Sequence, residues 1–189
     1  ALLSMYNRCG SLNDARDVCD KTTEKTLILW NAMICVYVSH HEPEKAFLCF
    51  DQLEQEGFMP NKTTFICILD ACIDNPEGQN QGKRIHSYIM ELGYDSDIKV
   101  GTALINMYGR CGVLEAIRKA YSKLSNWDVV LFTSMIAAYC EHGQFGEAIH
   151  FFTQMLQQSI EPNQVTFVCI LDAYSNYTSS TDCKHMHSF

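Results

Sequence analysis

Apolar residues recur along this chain at the spacing of an α-helix. In "EKAFLCFDQL" Ala46, Phe47, Phe50 and Leu53 stand at i, i+1, i+4 and i+7, and in "GEAIHFFTQM" Ala148, Ile149, Phe152 and Met155 repeat that stripe. Such a set falls on one face at about 3.6 residues per turn, so each segment predicts an amphipathic helix whose stripe is ordinary core. A second apolar segment precedes each of them, "WNAMICVY" and "FTSMIAAY". Gly57 followed by Pro60 closes the first pair with a helix stop signal; Pro162 repeats it, although Ser159 stands where the glycine would be. Segments 27–61 and 129–163 therefore each read as a helical hairpin.

The two hairpins are part of a larger duplication. "ALLSMYNRCG" at Ala1 returns as "ALINMYGRCG" at Ala103, an offset of 102 residues that also pairs "FICILDA" (Phe65 to Ala71) with "FVCILDA" (Phe167 to Ala173) and Met33-Ile34 with Met135-Ile136. That period is too long for one supersecondary unit, and it divides into segments of 31, 35 and 36 residues. Helix pairs of this length bury their apolar faces only by stacking on neighbours, which predicts an all-α solenoid of about five units with a long concave surface.

The residues that repeat, "ALxxMYxRCGxL", "WNAMIxxY", "FxxMxxxxxxPN" and "GKRIHSYIMELGYDSDIKVGTALI", resemble plant pentatricopeptide-repeat proteins of the subclass in which P, L and S motifs alternate. The resemblance covers essentially the whole chain as a single array: S (1–26, truncated), P (27–61), L (62–97), S (98–128), P (129–163) and L (164–189, truncated, stopping within its second helix). Tetratricopeptide repeats keep a uniform length of about 34 residues and a W-x2-L-G-x2-Y signature that this chain lacks. The resemblance implies a right-handed superhelix of helix-turn-helix repeats that binds single-stranded RNA, with no cofactor, no bound metal and no catalytic residue.

It also implies that each P or S repeat reads one base through its fifth and last residues, while the second residue packs against the base. Carried over, the reading pairs are Asn31 with Asn61, Thr102 with Asp128, and Thr133 with Asn163, and the packing residues are Ile28, Lys99 and Val130. In the family's code these pairs resemble readers of a pyrimidine, guanine and adenine, while the intervening Ile66 and Asp97 specify loosely because Ile66 forms no hydrogen bond. The implied site is 5′-(C/U)-N-G-A-3′, running parallel to the chain. Unstacked bases expose the edges that such short polar side chains can hydrogen-bond. Capping is the competing reading: Asn61, Asp128 and Asn163 stand where N-caps or turn residues belong, and Asn31 and Thr133 lie near helix starts. Lys99 departs from the apolar second position and suits a phosphate contact or solvent.

Net charge changes this picture. At −8, with 22 acids against 14 Lys and Arg, the chain is the reverse of the usual basic nucleic-acid binder, which favours a second class of function, a helical scaffold for proteins. The paired Asn, Thr and Asp residues favour RNA, with organellar RNA editing or processing, and its protein partners, implied by the family together with mitochondrion or chloroplast. Ten cysteines at matching apolar sites, such as Cys9 with Cys111 and Cys67 with Cys169, predict reduced buried thiols rather than a disulfide framework. The sequons at Asn61 and Asn176 are then incidental.

Remaining candidate chemistry is weak. "CKHMH", with Cys183, His185 and His187, offers metal-ligand types but aligns with "GKRIH" at Gly82 to His86, a helical segment. His40 and His41 fall in a connection and read as solvated. The H-x-E with C-x-x-C combination of zinc deaminases is absent, as are a GxSxG elbow, a Walker loop and GxGxxG, so no enzymatic activity is expected. No apolar run reaches the roughly 20 residues that cross a bilayer. The chain begins with Ala inside a motif and reads as a fragment, so any targeting peptide is expected to lie outside it.

Overall fold

The computed structural model describes residues 22, 25–73 and 77–186, with side chains as far as 177. Among the described residues it forms nine α-helices and no strand: α1 Leu27–Ser39, α2 Pro43–Gln55, α3 Lys62–Ala71, α4 Gly78–Glu91, α5 Ile98–Arg110, α6 Leu114–Tyr121, α7 Val129–Glu141, α8 Phe145–Gln157 and α9 Gln164–Met186. They fall into two compact units, one ending at Tyr94 and the other beginning at Asp95. The first expected S segment, 1–26, lies almost wholly outside the described residues.

In the first unit α1 packs on α2 and on α3, and α3 packs on α4. In the second, α5 packs on α6 and α7, and α7 packs on both α8 and α9. Within each unit the first helix of one hairpin therefore stacks on the next first helix. Ile34, Leu53, Phe65, Ile68, Leu69 and Ile89 are fully buried in the first unit, and Ile105, Ile117, Leu131, Phe132, Met135 and Ile136 in the second. The stripe Ala46, Phe47, Phe50 and Leu53 is buried as its spacing predicts. Its second copy turns slightly: Ala148, Phe151 and Met155 are buried, while Ile149 and Phe152 are half-exposed. Phe151 stacks on Tyr139 at 5.3 Å, while Phe152 meets Phe167 of α9 edge-on at 6.4 Å.

Helix starts alternate along the chain. Thr26, Asn61, Asp97, Asp128 and Asn163 each accept a backbone N–H of the following first helix on a side-chain oxygen. The second helices α2, α4, α6 and α8 have no side-chain cap. Most hairpin turns are too short to supply one. Helices α1, α2, α4, α5, α7 and α8 end in Schellman turns, such as Glu42 N–H to Tyr37 C=O and Gly57 N–H to Glu54 C=O. The residue after each cap is left-handed; Gly57 and its equivalent Ser159 have φ 82° and 57°, and His41 and its equivalent Gly143 have 57° and 67°. Ser159 thus adopts the conformation of the glycine it replaces and bears the steric cost.

Two expectations are corrected. Residues 164–186 form one continuous helix rather than a hairpin. Between α3 and α4 the chain carries Pro76 and Gly78, where the second copy has Thr178 and Ser180. A Cβ at Gly78 would collide with the carbonyl oxygen of Cys72, so a serine there forbids that turn, and without proline nothing stops the helix. Cys35 and Cys67 are not reduced thiols: they form a disulfide between α1 and α3, with Cα atoms 5.5 Å apart. Spacing within a helix identified Cys67 as a core position but not its neighbour across the stack. Cys35 is replaced by Ala137 in the second copy, so Cys169 stays a thiol, and its carbonyl accepts the Cys140 Sγ–H at 3.3 Å.

Replacing Ser159 or His41 with glycine should raise stability by about 0.5–1 kcal/mol in urea denaturation, by removing a side chain from a left-handed position. Burial, and then the neighbouring Cys169, push the Cys140 thiol up to about 11. At neutral pH its thiolate is therefore roughly a hundredfold scarcer than that of an unperturbed cysteine. Alkylation of Cys140, followed by mass spectrometry, should lag correspondingly and accelerate as pH rises toward that value.

Candidate nucleic-acid interface

The expected reading residues sit at the amino-terminal turns of the first helices, where caps and exposed apolar side chains coincide. Ile28, one turn before Asn31 on α1, is 81% exposed, and Val130, one turn before Thr133 on α7, is 55% exposed. Folding of the described residues gives neither an apolar partner that covers it. Lys99 occupies the same turn of α5 and is also exposed, a charge in the place of an apolar contact.

Asn31 and Asn61 are brought together. Asn61 Oδ1 accepts the Thr64 N–H at 3.1 Å and the Asn31 Nδ2–H at 3.2 Å. Thr64 Oγ1 accepts the Asn61 N–H at 3.0 Å and donates to Asn31 Oδ1 at 2.6 Å. Asn31 and Thr64 are buried and Asn61 half-buried. The first and second hairpins are thereby locked at a polar knot, one turn from the Cys35–Cys67 bond.

Thr133 and Asn163 are linked through a third residue. Thr133 Oγ1 lies 2.7 Å from Thr166 Oγ1, which lies 3.0 Å from Asn163 Oδ1. Asn163 Oδ1 accepts the Thr166 N–H at 2.9 Å, and Asn163 is exposed. Thr102 and Asp128 share no hydrogen bond: the Thr102 hydroxyl donates to Ile98 C=O at 2.7 Å, and Asp128 Oδ1 accepts Leu131 N–H at 2.8 Å. Ile66 is half-buried in the first unit and Asp97 caps α5 in the second.

Capping and reading are therefore not alternatives. The cap uses one side-chain oxygen, leaving Nδ2 of Asn61 and Asn163, and Oδ2 of Asp128, for another partner. The amide ends donate and the carboxylate end accepts.

Thr64 and Thr166, both fully buried, are the residues that sequence reasoning passed over. Their signal was present as Asn-x-x-Thr in "NKTT" and "NQVT", a capping-box pattern. His40, Glu42 and the intervening His41, an H-x-E by coincidence, form the turn after α1, where His40 Nδ1 meets Val36 C=O at 2.8 Å. The Cys183 and His185 side chains and His187 lie outside the described residues.

Stacked helical hairpins, with Asn31–Asn61 and Thr133–Asn163 near the starts of first helices, define a helical-repeat protein. The PPR repeat family model matches residues 25–74 and 127–176, and the chain belongs to that family. The pentatricopeptide repeat-containing protein At4g30700 of Arabidopsis thaliana is 36% identical over 93% of this chain and 22% of its own length. The mitochondrial At3g09040 and chloroplastic At1g11290 proteins of the same plant are 33% and 31% identical over 99% of this chain and 18% and 23% of their own lengths. The chain thus spans about a fifth of these relatives. Among solved structures, the pentatricopeptide repeat protein PPR10 in complex with an 18-nt psaJ RNA element aligns with a TM-score of 0.76 at 19% identity, over 93% of this chain and 26% of that one. A second structure, of PPR10 from maize, aligns at 0.70 and 16% identity, over 99% and 28%. The fold is that of PPR repeats.

Replacing Asn61 with alanine removes both a helix cap and the partner of buried Asn31, and should cost about 1–3 kcal/mol in urea denaturation. Asn163→Ala should cost only about 1 kcal/mol, because Thr133 keeps Thr166.

Proposed function

We propose that this chain is the sequence-reading part of a longer organellar PPR protein and binds single-stranded RNA, one base to each P or S repeat. The observation that carries this reading is the conjunction at α1: a capped polar pair, Asn31 with Asn61, with an unused amide end beside an Ile28 that folding leaves exposed. Apolar stacking beside a hydrogen-bonding edge is what recognition of an unpaired base requires. The repeat boundaries 27–61, 62–97, 98–128 and 129–163, with 1–26 and 164–189 as partial S and L repeats, belong to this reading.

The polar ends agree with the assigned bases. Asn61 and Asn163 present N–H donors suited to ring acceptors of a pyrimidine and of adenine, whereas Asp128 presents an acceptor suited to guanine N1–H. Ile28 and Val130 pack on the bases, and Lys99 meets phosphate. Reading 5′-(C/U)-N-G-A-3′ serves editing or processing of a mitochondrial or chloroplast transcript, with the chemistry supplied by another domain or protein. Relatives named mitochondrial and chloroplastic support the organelle, and the PPR10 complex supports the ligand class. The net charge of −8 supports the rival, a protein scaffold, and implies that affinity rests on bases more than on phosphates.

Fluorescence anisotropy decides between them. The chain is expected to prefer a short RNA containing CAGA over its permutations, and Asn61→Asp, which exchanges a donor for an acceptor, should move the first-base preference toward uracil by about tenfold. Equal affinity for all permutations at low and high salt would leave the scaffold reading.

A further inference from the structure

The third residue of the helix following each reading pair has no role in the repeat scheme, yet it is a fully buried threonine in α3 and again in α9. We infer that Thr64 and Thr166 are positioning residues that fix which polar atoms each pair presents to a base; the inference rests on the RNA-binding reading above.

A side-chain amide rotated by half a turn keeps its shape and exchanges donor for acceptor, so an unbraced asparagine presents either end. Thr64 removes that freedom at the first pair through its N–H and its hydroxyl together. The Thr64 N–H, which can only donate, requires the oxygen of Asn61 to face inward. The Asn61 N–H donates to Thr64 Oγ1, whose own proton faces two amide oxygens, Asn31 Oδ1 at 2.6 Å and Asn61 Oδ1 at 3.1 Å. With that oxygen engaged, Asn31 can turn only Nδ2 toward Asn61 Oδ1, as observed. Asn61 Oδ1 is thus held inward by the N–H and the hydroxyl of Thr64, and Asn61 Nδ2, with no partner among the described residues, is left as the outward donor. That end matches N3 and O2 of cytosine and opposes the N3–H of uracil, which narrows the first base from a pyrimidine to cytosine.

Thr166 does the same at the other pair. Asn163 Oδ1 is committed to the Thr166 N–H, and the Asn163 N–H donates to Thr166 Oγ1 at 3.3 Å. Thr133 Oγ1 lies 2.6 Å from Val129 C=O and 2.7 Å from Thr166 Oγ1, and the Thr166 hydroxyl also faces Asn163 Oδ1 at 3.0 Å. The pair presents a donor at Asn163 and a lone pair at Thr133, complementary to N1 and N6–H of adenine and opposed to N1–H and O6 of guanine.

The remaining pair supplies an internal control. Asp128 is a carboxylate, both of whose ends accept, so rotation reverses nothing; there the third residue of the following helix is Leu131, which has no hydroxyl. Threonine stands behind the two asparagines and not behind the aspartate.

The test is binding of the whole chain to CAGA-containing RNAs varied at the first or at the last base, with Thr64→Val, Thr166→Val and the hydroxyl-retaining Thr64→Ser. Wild type and Thr64→Ser should prefer cytosine to uracil at the first base by about tenfold, and Thr64→Val should reduce this to about twofold while leaving the last-base preference intact. Thr166→Val should do the converse. A Thr64→Val chain that keeps its cytosine preference, or loses affinity equally for every RNA, overturns the inference. Exchange of the Asn31 side-chain amide protons, followed by NMR without RNA, should quicken about tenfold in Thr64→Val and not in Thr64→Ser; unchanged exchange overturns the bracing. A folded wild-type chain that binds RNA without base preference overturns the reading on which the inference rests, and the amide exchange then decides the bracing separately.

Discussion

The first turn of a helix carries backbone N–H groups that its own carbonyls cannot reach, and this deficit organises the molecule. Every first helix described takes a side-chain oxygen from the residue before it, whereas the second helices leave short turns and go without. The capping residue is also the joint between one hairpin and the next. At Asn61, Asp128 and Asn163 the cap uses one side-chain oxygen and leaves the second polar atom without a helical duty. On the proposed RNA-binding reading, the recognition position is a by-product of finishing a helix properly. That explains why its residue types are so narrow even before any ligand is considered.

Most of the fold was legible because its signals were local and repeated. The stripe Ala46, Phe47, Phe50 and Leu53 fixed both the helix and its buried face, and a second copy 102 residues later removed the ambiguity of a single instance. Asn31, Asn61, Thr133 and Asn163 were legible as candidates through family resemblance, and Asn61 and Asn163 independently as caps. What spacing could not supply was anything depending on which helix lies beside which. The Cys35–Cys67 bond and the contacts of Thr64 with Asn31 join residues about thirty apart, across α1 and α3. Thr64 had a local signal, the Asn-x-x-Thr box, but its second partner appears only when the hairpins stack.

Where the two copies differ, one or two residues decide. Ser180 in place of Gly78 carries a Cβ that the turn after α3 cannot accommodate, and Thr178 in place of Pro76 removes the obstacle to helix growth, so the second copy runs straight through as α9. Ser159 in place of Gly57 has no such consequence, because a left-handed residue with no atom near its Cβ costs conformational energy but not space. Duplicated segments tolerate strain far better than collision.

The covalent link between α1 and α3 changes how the first unit comes apart. Stacked hairpins unfold as a series of weakly coupled neighbours, each able to fray alone. Cys35 and Cys67 are separated by 32 residues, and closing a loop of that size lowers the entropy of the unfolded chain by an amount worth roughly 3–4 kcal/mol. The first two hairpins of this unit therefore melt as one cooperative block, and the polar knot at Asn31, Asn61 and Thr64 lies inside it. In the second unit Ala137 stands in place of the first cysteine, and the joint between α7 and α9 is held by packing and the Thr133–Thr166 contact alone, without a covalent link.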